Sequence, residues 1–431
     1  MQDWLRLDNA ALIFPAVRKT GWSNAFRVSA TLAEKIDPVC LQQAVDSLRE
    51  RFPSVYVCLH RGFFWYYLQK LKTSPKVRED AACPLIHMTK PELRECCFRV
   101  LYYKNRIAVE FFHALTDGNG GMVYLKTLTA AYLSLRYGFK PQAQYGVLDW
   151  MAAPEESELE DSFLKAAGRI ALDRKEENSI HLKGTRRKDG FHYLTVGTVS
   201  EEKLKARAQE YNTSVTAFLA AVMLQTILDL AKHKKTRKWA KITIPVDLRR
   251  LFGGNTLRNF VLTVNVGVDP KLGEYSLEEL CKAVQSQMNS QITEKQMAAR
   301  IAANVKPARM MLVRIMPLFI KNIALKLVYH FVGESKGTLN ISNLGRSELP
   351  PEMVPYVENL DFIIGTQATY FHNCSVVTYK GKVRINLIRN VEESELERNF
   401  FTRLLKMGIP VKVESNFGGG SLCIAQIAEW N

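Results

Sequence analysis

His113 opens the run His-Ala-Leu-Thr-Asp-Gly (113–118), and imidazole is the side chain whose ordinary pKa lies closest to neutrality. In its neutral tautomer such a ring can accept the proton of a hydroxyl or amine attacking a carbonyl, which is general-base chemistry. The residues Asp117-Gly118-Asn119-Gly120-Gly121 predict a tight, backbone-exposed turn before a helix, and Gly118 would let backbone or substrate come close. His-x-x-x-Asp is also the spacing of two metal ligands, but no third ligand is apparent and no metal is expected. A serine nucleophile would call for Gly-x-Ser-x-Gly, which the sequence lacks. A histidine at a strand end can also be purely structural, so the surrounding elements carry the decision.

Alternating residues at Cys97–Tyr103 and Arg106–Phe112 around Lys104-Asn105 predict a hairpin whose far end delivers His113. Helices are predicted over Val39–Phe52, stopped by Pro53, and over Met122–Tyr137. Between Lys140 and Gly190 the pattern weakens, with Pro141, Pro154 and an acidic stretch, as expected of a crossover. A strand at Phe191–Val199 then leads to Ser200, an N-cap for a helical stretch reaching Ala231 with a break near Tyr211-Asn212. Further strands are predicted at Lys241–Val246, Phe260–Val266, Leu339–Ser342, Asp361–Gly365, Ser375–Tyr379 and Lys382–Ile388, and a closing helix at Glu392–Met407. At 431 residues the chain exceeds one ordinary core. Two lobes are expected, 1–190 and 191–431, each a sheet with helices packed on it in an α/β (α+β two-layer) arrangement. No internal repeat is evident.

Composition narrows the function classes. With 47% hydrophobic and 24% charged residues the chain reads as globular. Its eight cysteines include no Cys-x-x-Cys pair, so neither a zinc site nor a disulfide framework is expected. Asp3, Arg6 and Asp8 interrupt the start where a secretory signal needs an apolar run, and a cytoplasmic location is expected. The net charge of +16 suits nucleic acid, an anionic membrane or a phosphate-bearing molecule. The densest basic runs, Lys183–Lys188 and His233–Lys241, carry no recognition signature, so nucleic acid is not expected. The apolar stretch Met310–Val332 is broken by Arg314, Lys321, Lys326 and Pro317 and does not read as a membrane span. It is expected to be a buried helix pair, with an interfacial segment in peripheral membrane contact as the other reading.

His113-x-x-x-Asp117-Gly118 after a hairpin resembles the superfamily of chloramphenicol acetyltransferase, peptide-synthetase condensation domains and alcohol acetyltransferases. The resemblance extends to LQQAVDSLRERFPSVYV (41–57), PVDLRR (245–250) with Leu257-Arg258-Asn259-Phe260, and LNISNLG (339–345). It implies two chloramphenicol-acetyltransferase-like lobes forming a V, with a central channel open to donor on one face and acceptor on the other, and His113 midway. It further implies direct transfer of an acyl group from acyl-CoA or an acyl carrier protein to an alcohol or amine, without bound cofactor or acyl-enzyme. Asp117 would face away from substrate and pair with an arginine, for which Arg249 is the candidate. Ser342 and Asn343 are candidates for polar groups lining the channel near the oxyanion, or they merely end a strand. Asn259 either fixes its loop or touches substrate. The sequence lacks the Asp-Phe-Gly-Trp-Gly of plant relatives and has Phe112 where condensation domains often carry a second histidine. A freestanding, monomeric, bacterial alcohol acetyltransferase-like enzyme is the nearest resemblance. A carrier-docked or noncatalytic module that binds an acylated carrier protein is the alternative.

Overall fold

Strand β7 (Arg106–Phe112) carries His113 at its end, and the sheet around it explains why that end is rigid. In chain order the earlier strands are β1 (Trp4–Arg6), β2 (Ala25–Leu32), β3 (Val57–Arg61), β4 (Tyr66–Lys70), β5 (Arg78–Glu79) and β6 (Phe98–Tyr103). The later ones are β8 (Tyr193–Ser200), β9 (Ala240–Asp247), β10 (Val261–Val268), β11 (Leu339–Arg346), β12 (Val357–Ile364), β13 (His372–Tyr379), β14 (Lys382–Arg389), β15 (Lys412–Ser415) and β16 (Cys423–Ala425). These belong to a computed structural model that describes residues 3–18, 24–172, 176–232 and 238–417, together with β16. Of the basic run His233–Lys241, only Lys238–Lys241 fall within the described residues.

β6 and β7 form the expected hairpin, turning through Lys104 at φ +49°. Along β7 both faces are buried from Ile107 onward, because β2 and β6 flank it in a five-stranded sheet ordered β12-β2-β7-β6-β5. Glu110 is the one charge on that strand's buried length; Arg27 at 3.2 Å and Arg99 at 3.4 Å neutralise it, and its carboxylate accepts from Leu85 N. A buried carboxylate without such partners would cost several kcal/mol.

The second sheet has eight strands in the order β10-β9-β11-β13-β14-β8-β15-β16. Helices Glu201–Glu210 and Val215–Ala231 are capped by Ser200 and Ser214, and the break between them passes through Asn212 at φ +54°. Each sheet has its own apolar cluster, one around Phe26, Phe111 and Tyr124 and the other around Phe218, Val264 and Phe400. Two lobes are therefore present.

Three elements differ from expectation. The strand read at Asp361–Gly365 is β12, and it pairs antiparallel with β2, from Val357 opposite Leu32 to Ile364 opposite Phe26. It thus leaves the sequence segment 191–431 to complete the first sheet, because alternation fixes a strand's faces but not its neighbour. The glycine run is no free turn: the helix starts at Gly118 and continues to Tyr137, with Gly120 and Gly121 buried. The stretch Met310–Val332 is no buried helix pair. Its principal helix, Leu318–Val328, presents Phe319, Ile320, Ile323, Leu327 and Val328 to solvent.

Candidate active site

The site lies where the end of β7 meets the loop 256–260 of the second lobe. Backbone pairing anchors His113 first, its N–H donating to Asn24 O at 2.8 Å. Phe14 stacks on the imidazole, ring centroids 4.6 Å apart and planes within 15°, while Phe26 meets it edge-on at 5.2 Å. The residue as a whole is half-buried, with its imidazole enclosed between these two rings. Enclosure by these rings disfavours the imidazolium and moves the His113 pKa below its ordinary value, against smaller opposing contributions from its own backbone, Asp117 and Asn259.

Asn259 settles which ring nitrogen carries the proton. Its amide nitrogen donates to His113 O at 3.0 Å and to Asp8 Oδ2 at 3.2 Å, and the backbone carbonyl, which can only accept, fixes the amide's orientation. Its Oδ1 is thereby turned toward His113 Nδ1, 3.1 Å away, and must accept from an Nδ1–H. In the neutral ring the lone pair is then on Nε2.

Asp117 ties the lobes together with both carboxylate oxygens. Oδ1 accepts from Asn119 N and Gly120 N, capping the helix Gly118–Tyr137. Oδ2 accepts from Arg249 Nη1 at 2.8 Å and from Phe260 N at 2.8 Å. Arg249 extends the tie, donating to Thr256 O and Arg258 O, both on the loop that holds Asn259 and ahead of it in the chain. Burial opposes the charge on Arg249, but Asp117 and Asp247 outweigh it and raise its pKa. Thr116 Oγ1 donates to Leu257 O at 2.6 Å, a further link between lobes.

Close approach explains the glycines. A Cβ on Gly120 would lie 2.4 Å from Leu257 O, and one on Gly118 would lie 2.9 Å from Leu344 Cδ2 and 3.0 Å from Phe362 Cζ. It is β11 and β12 that use the space at Gly118.

Asp8 and Phe14 are the members of this cluster that sequence reasoning missed. Asp8 is fully buried; its Oδ1 accepts from Ala11 N at 2.7 Å and its Oδ2 faces Asn259 and, at 3.6 Å, Arg258 Nε. Burial, opposed by Arg258 and aided by Asp161, pushes its pKa up to about 6. No local motif marks it, since its partners lie some 250 positions away.

Ser342 and Asn343 are not joined to the cluster by hydrogen bonds among the described residues. Ser342 is buried within β11 opposite Ser375, and Asn343 donates to Thr216 Oγ1 and accepts from Gly345 N, which fixes the strand's end. A cleft of about 510 Å³ is lined by Asn178, His181, His330, Lys336 and Thr369, among others, and none of its lining residues belongs to the His113 cluster. Among the described residues no three His, Cys, Asp or Glu side chains gather as metal ligands.

Two sheet-based lobes joined at a histidine with an Asp–Arg tie define a protein of the two-lobed acyltransferase fold. The F. graminearum TRI101 structure with coenzyme A and deoxynivalenol superposes with a TM-score of 0.63 at 11% identity, covering 94% of this chain and 97% of that one. Polyketide synthase associated protein 5 from Mycobacterium tuberculosis gives 0.59 at 13% identity over 96% and 98% of the two chains. The wax ester synthase/diacylglycerol acyltransferase from Marinobacter aquaeolei VT8 gives 0.54 at 14% identity over 94% and 100%. No curated protein sequence matches significantly. The alcohol acetyltransferase family model matches residues 172–405, more than half of the chain. The chain belongs to the alcohol acetyltransferase family.

Proposed function

We propose that this acyltransferase moves an acyl group directly from a thioester donor, acyl-CoA or an acylated carrier protein, to a hydroxyl or amine acceptor, with His113 Nε2 as general base. As the acceptor's oxygen or nitrogen attacks the carbonyl carbon, its proton passes to Nε2. The tetrahedral oxyanion then collapses, the carbon–sulfur bond breaks, and the departing thiolate takes the proton back from the imidazolium. Ester or amide and free thiol are the products, and the ring is restored.

One observation carries this reading: the contact of Asn259 Oδ1 with His113 Nδ1 at 3.1 Å, locked by the two acceptors on the amide nitrogen. A general base needs this control, because it leaves the Nε2 lone pair free for the acceptor's proton. The lowered pKa fits the same role, because it keeps the ring unprotonated at neutral pH. Asp117 and Arg249 act as positioning residues, holding the loop that presents Asn259.

Coenzyme A as donor is supported by the likeness to TRI101, whose structure contains it. A carrier-bound donor is the second reading, favoured by the likeness to a polyketide synthase associated protein. Thiol release measured with acyl-CoAs and with acylated carrier protein, over pooled alcohols and amines, separates the donors. His113→Ala is expected to lower turnover about 100-fold or more. Undiminished turnover in that variant would overturn the assignment of the base.

A further inference from the structure

We infer that the face formed by helix Leu318–Val328 and the β3–β4 turn docks the protein on a lipid bilayer with anionic headgroups. The helix is inverted for a globular protein. Phe319, Ile323, Leu327 and, in the turn beyond it, Phe331 are 57, 59, 54 and 63% exposed, and their spacing of four puts them on one outward stripe. Only Leu318 and a lysine are buried on it. Lys321 is buried, its ammonium donating to Phe64 O at 3.0 Å and Arg314 O at 3.2 Å and lying 3.4 Å from the centre of the Trp65 ring.

The β3–β4 turn extends the same face. Phe63 and Phe64 are exposed at its tip beside Trp65, and Leu318 N donates to Phe63 O at 2.9 Å, so turn and helix are one unit. Asn322 Nδ2 adds a bond to Tyr66 OH at 3.0 Å. Met311 and Ile315 continue the apolar surface on the preceding short helix. Exposed apolar patches of this extent mark interaction sites.

Charge selects the occupant. Between Glu294 and Glu334 the sequence contains six Lys or Arg besides the inward-turned Lys321 and no Asp or Glu, and residues 61–72 contain Arg61, Lys70 and Lys72 and likewise no acid. An apolar stripe with clustered aromatics, set in an exclusively cationic stretch, fits the boundary between acyl chains and anionic headgroups. Among the described residues no single helix is long and apolar enough to cross a membrane, and the contact proposed here is a peripheral one. The helix also packs against Ile13–Val17, and Phe14 of that segment is the ring stacked on His113. A docked face would therefore hold the site beside the bilayer, where apolar acceptors or acyl chains accumulate.

Co-sedimentation of the full chain with phosphatidylglycerol–phosphatidylcholine vesicles at low salt tests the inference without reference to turnover. More than half of the protein is expected to pellet, falling at least tenfold in bound-to-free ratio for the triple variant Phe319→Glu, Ile323→Glu, Leu327→Glu and weakening with added salt. Phe63→Glu at the turn is a second variant expected to weaken binding several-fold should the triple variant fail to fold. Absence of binding to anionic vesicles, or binding that both variants leave unchanged, would overturn the inference. So would a wild-type dimer in light scattering that the variants dissociate while vesicles stay unbound, which would make the face a contact between copies. Thiol release with water-soluble acceptors is expected to persist in the triple variant, so failed docking and failed catalysis are told apart.

Discussion

The His113 cluster and the Leu318–Val328 face treat polarity in opposite ways. Around His113 the buried polar groups that join the lobes are given partners: Asp117 takes four hydrogen bonds on two oxygens, and Asn259 bonds through its amide oxygen, its amide nitrogen and its backbone N–H. On the helix face, apolar side chains stand in water while a lysine is turned inward. Folding alone accounts for neither arrangement, since an apolar core would be cheaper than the first and a reversed helix would be more stable than the second. The lesson is that the first constraint comes from chemistry inside the molecule and the second from a surface outside it.

The comparison breaks most visibly at Asp117. Asp117→Ala removes a helix cap and leaves Arg249 without its partner across the lobes, so thermal and denaturant unfolding are expected to show a loss of about 3 kcal/mol or more, with activity lost too. A stable and fully active variant would contradict its positioning role. Asn259→Ala is expected to lower kcat roughly 10- to 100-fold with KM little changed, because the imidazole loses control of its tautomer while substrate contacts remain. A rise in KM alone would assign Asn259 to substrate binding instead.

Asp8 gives a finer test, with a sign that depends on pH. Its folded pKa of about 6 lies above the ordinary 3.8, so the folded protein holds this proton more tightly than the unfolded chain. That contribution to stability is fully present below pH 4 and is lost as pH rises through 6. Asp8→Asn is therefore expected to be more stable than wild type at pH 8, by roughly 1–3 kcal/mol, with the gain vanishing near pH 4. The same change is expected to slow turnover several-fold by weakening the hold on Asn259. The smallest effect belongs to the other region: the triple glutamate variant on the helix face is expected to change stability by less than about 0.5 kcal/mol. A larger loss there would mean that the face is part of the core.

Much of this was legible in the sequence wherever the signal is local. The alternation of Cys97–Tyr103 and Arg106–Phe112 gave the hairpin, and the cap Ser200 and the break near Tyr211-Asn212 need no distant partner to be seen, although the second cap, Ser214, was read only from the structure. The tie of Asp117 to Arg249 followed from the resemblance, and the two residues do stand 2.8 Å apart. Asp8 and Phe14 were not legible, because their significance lies in contacts with residues far along the chain. The home of β12 was hidden for a related reason: a strand's pattern is the same whichever sheet receives it. In Leu318–Val328 the pattern of apolar and basic residues is equally periodic in either orientation, and only tertiary contacts show that Lys321 faces in.

The central claim is an imidazole held with its proton on Nδ1 and its lone pair on Nε2. Nitrogen-15 NMR of histidine-labelled protein at pH 7.5, with His113 assigned by comparison with His113→Ala, reads this directly. A neutral ring protonated at Nδ1, and losing that preference in Asn259→Ala, is the expected result. A His113 ring protonated at Nε2 at that pH would contradict the account.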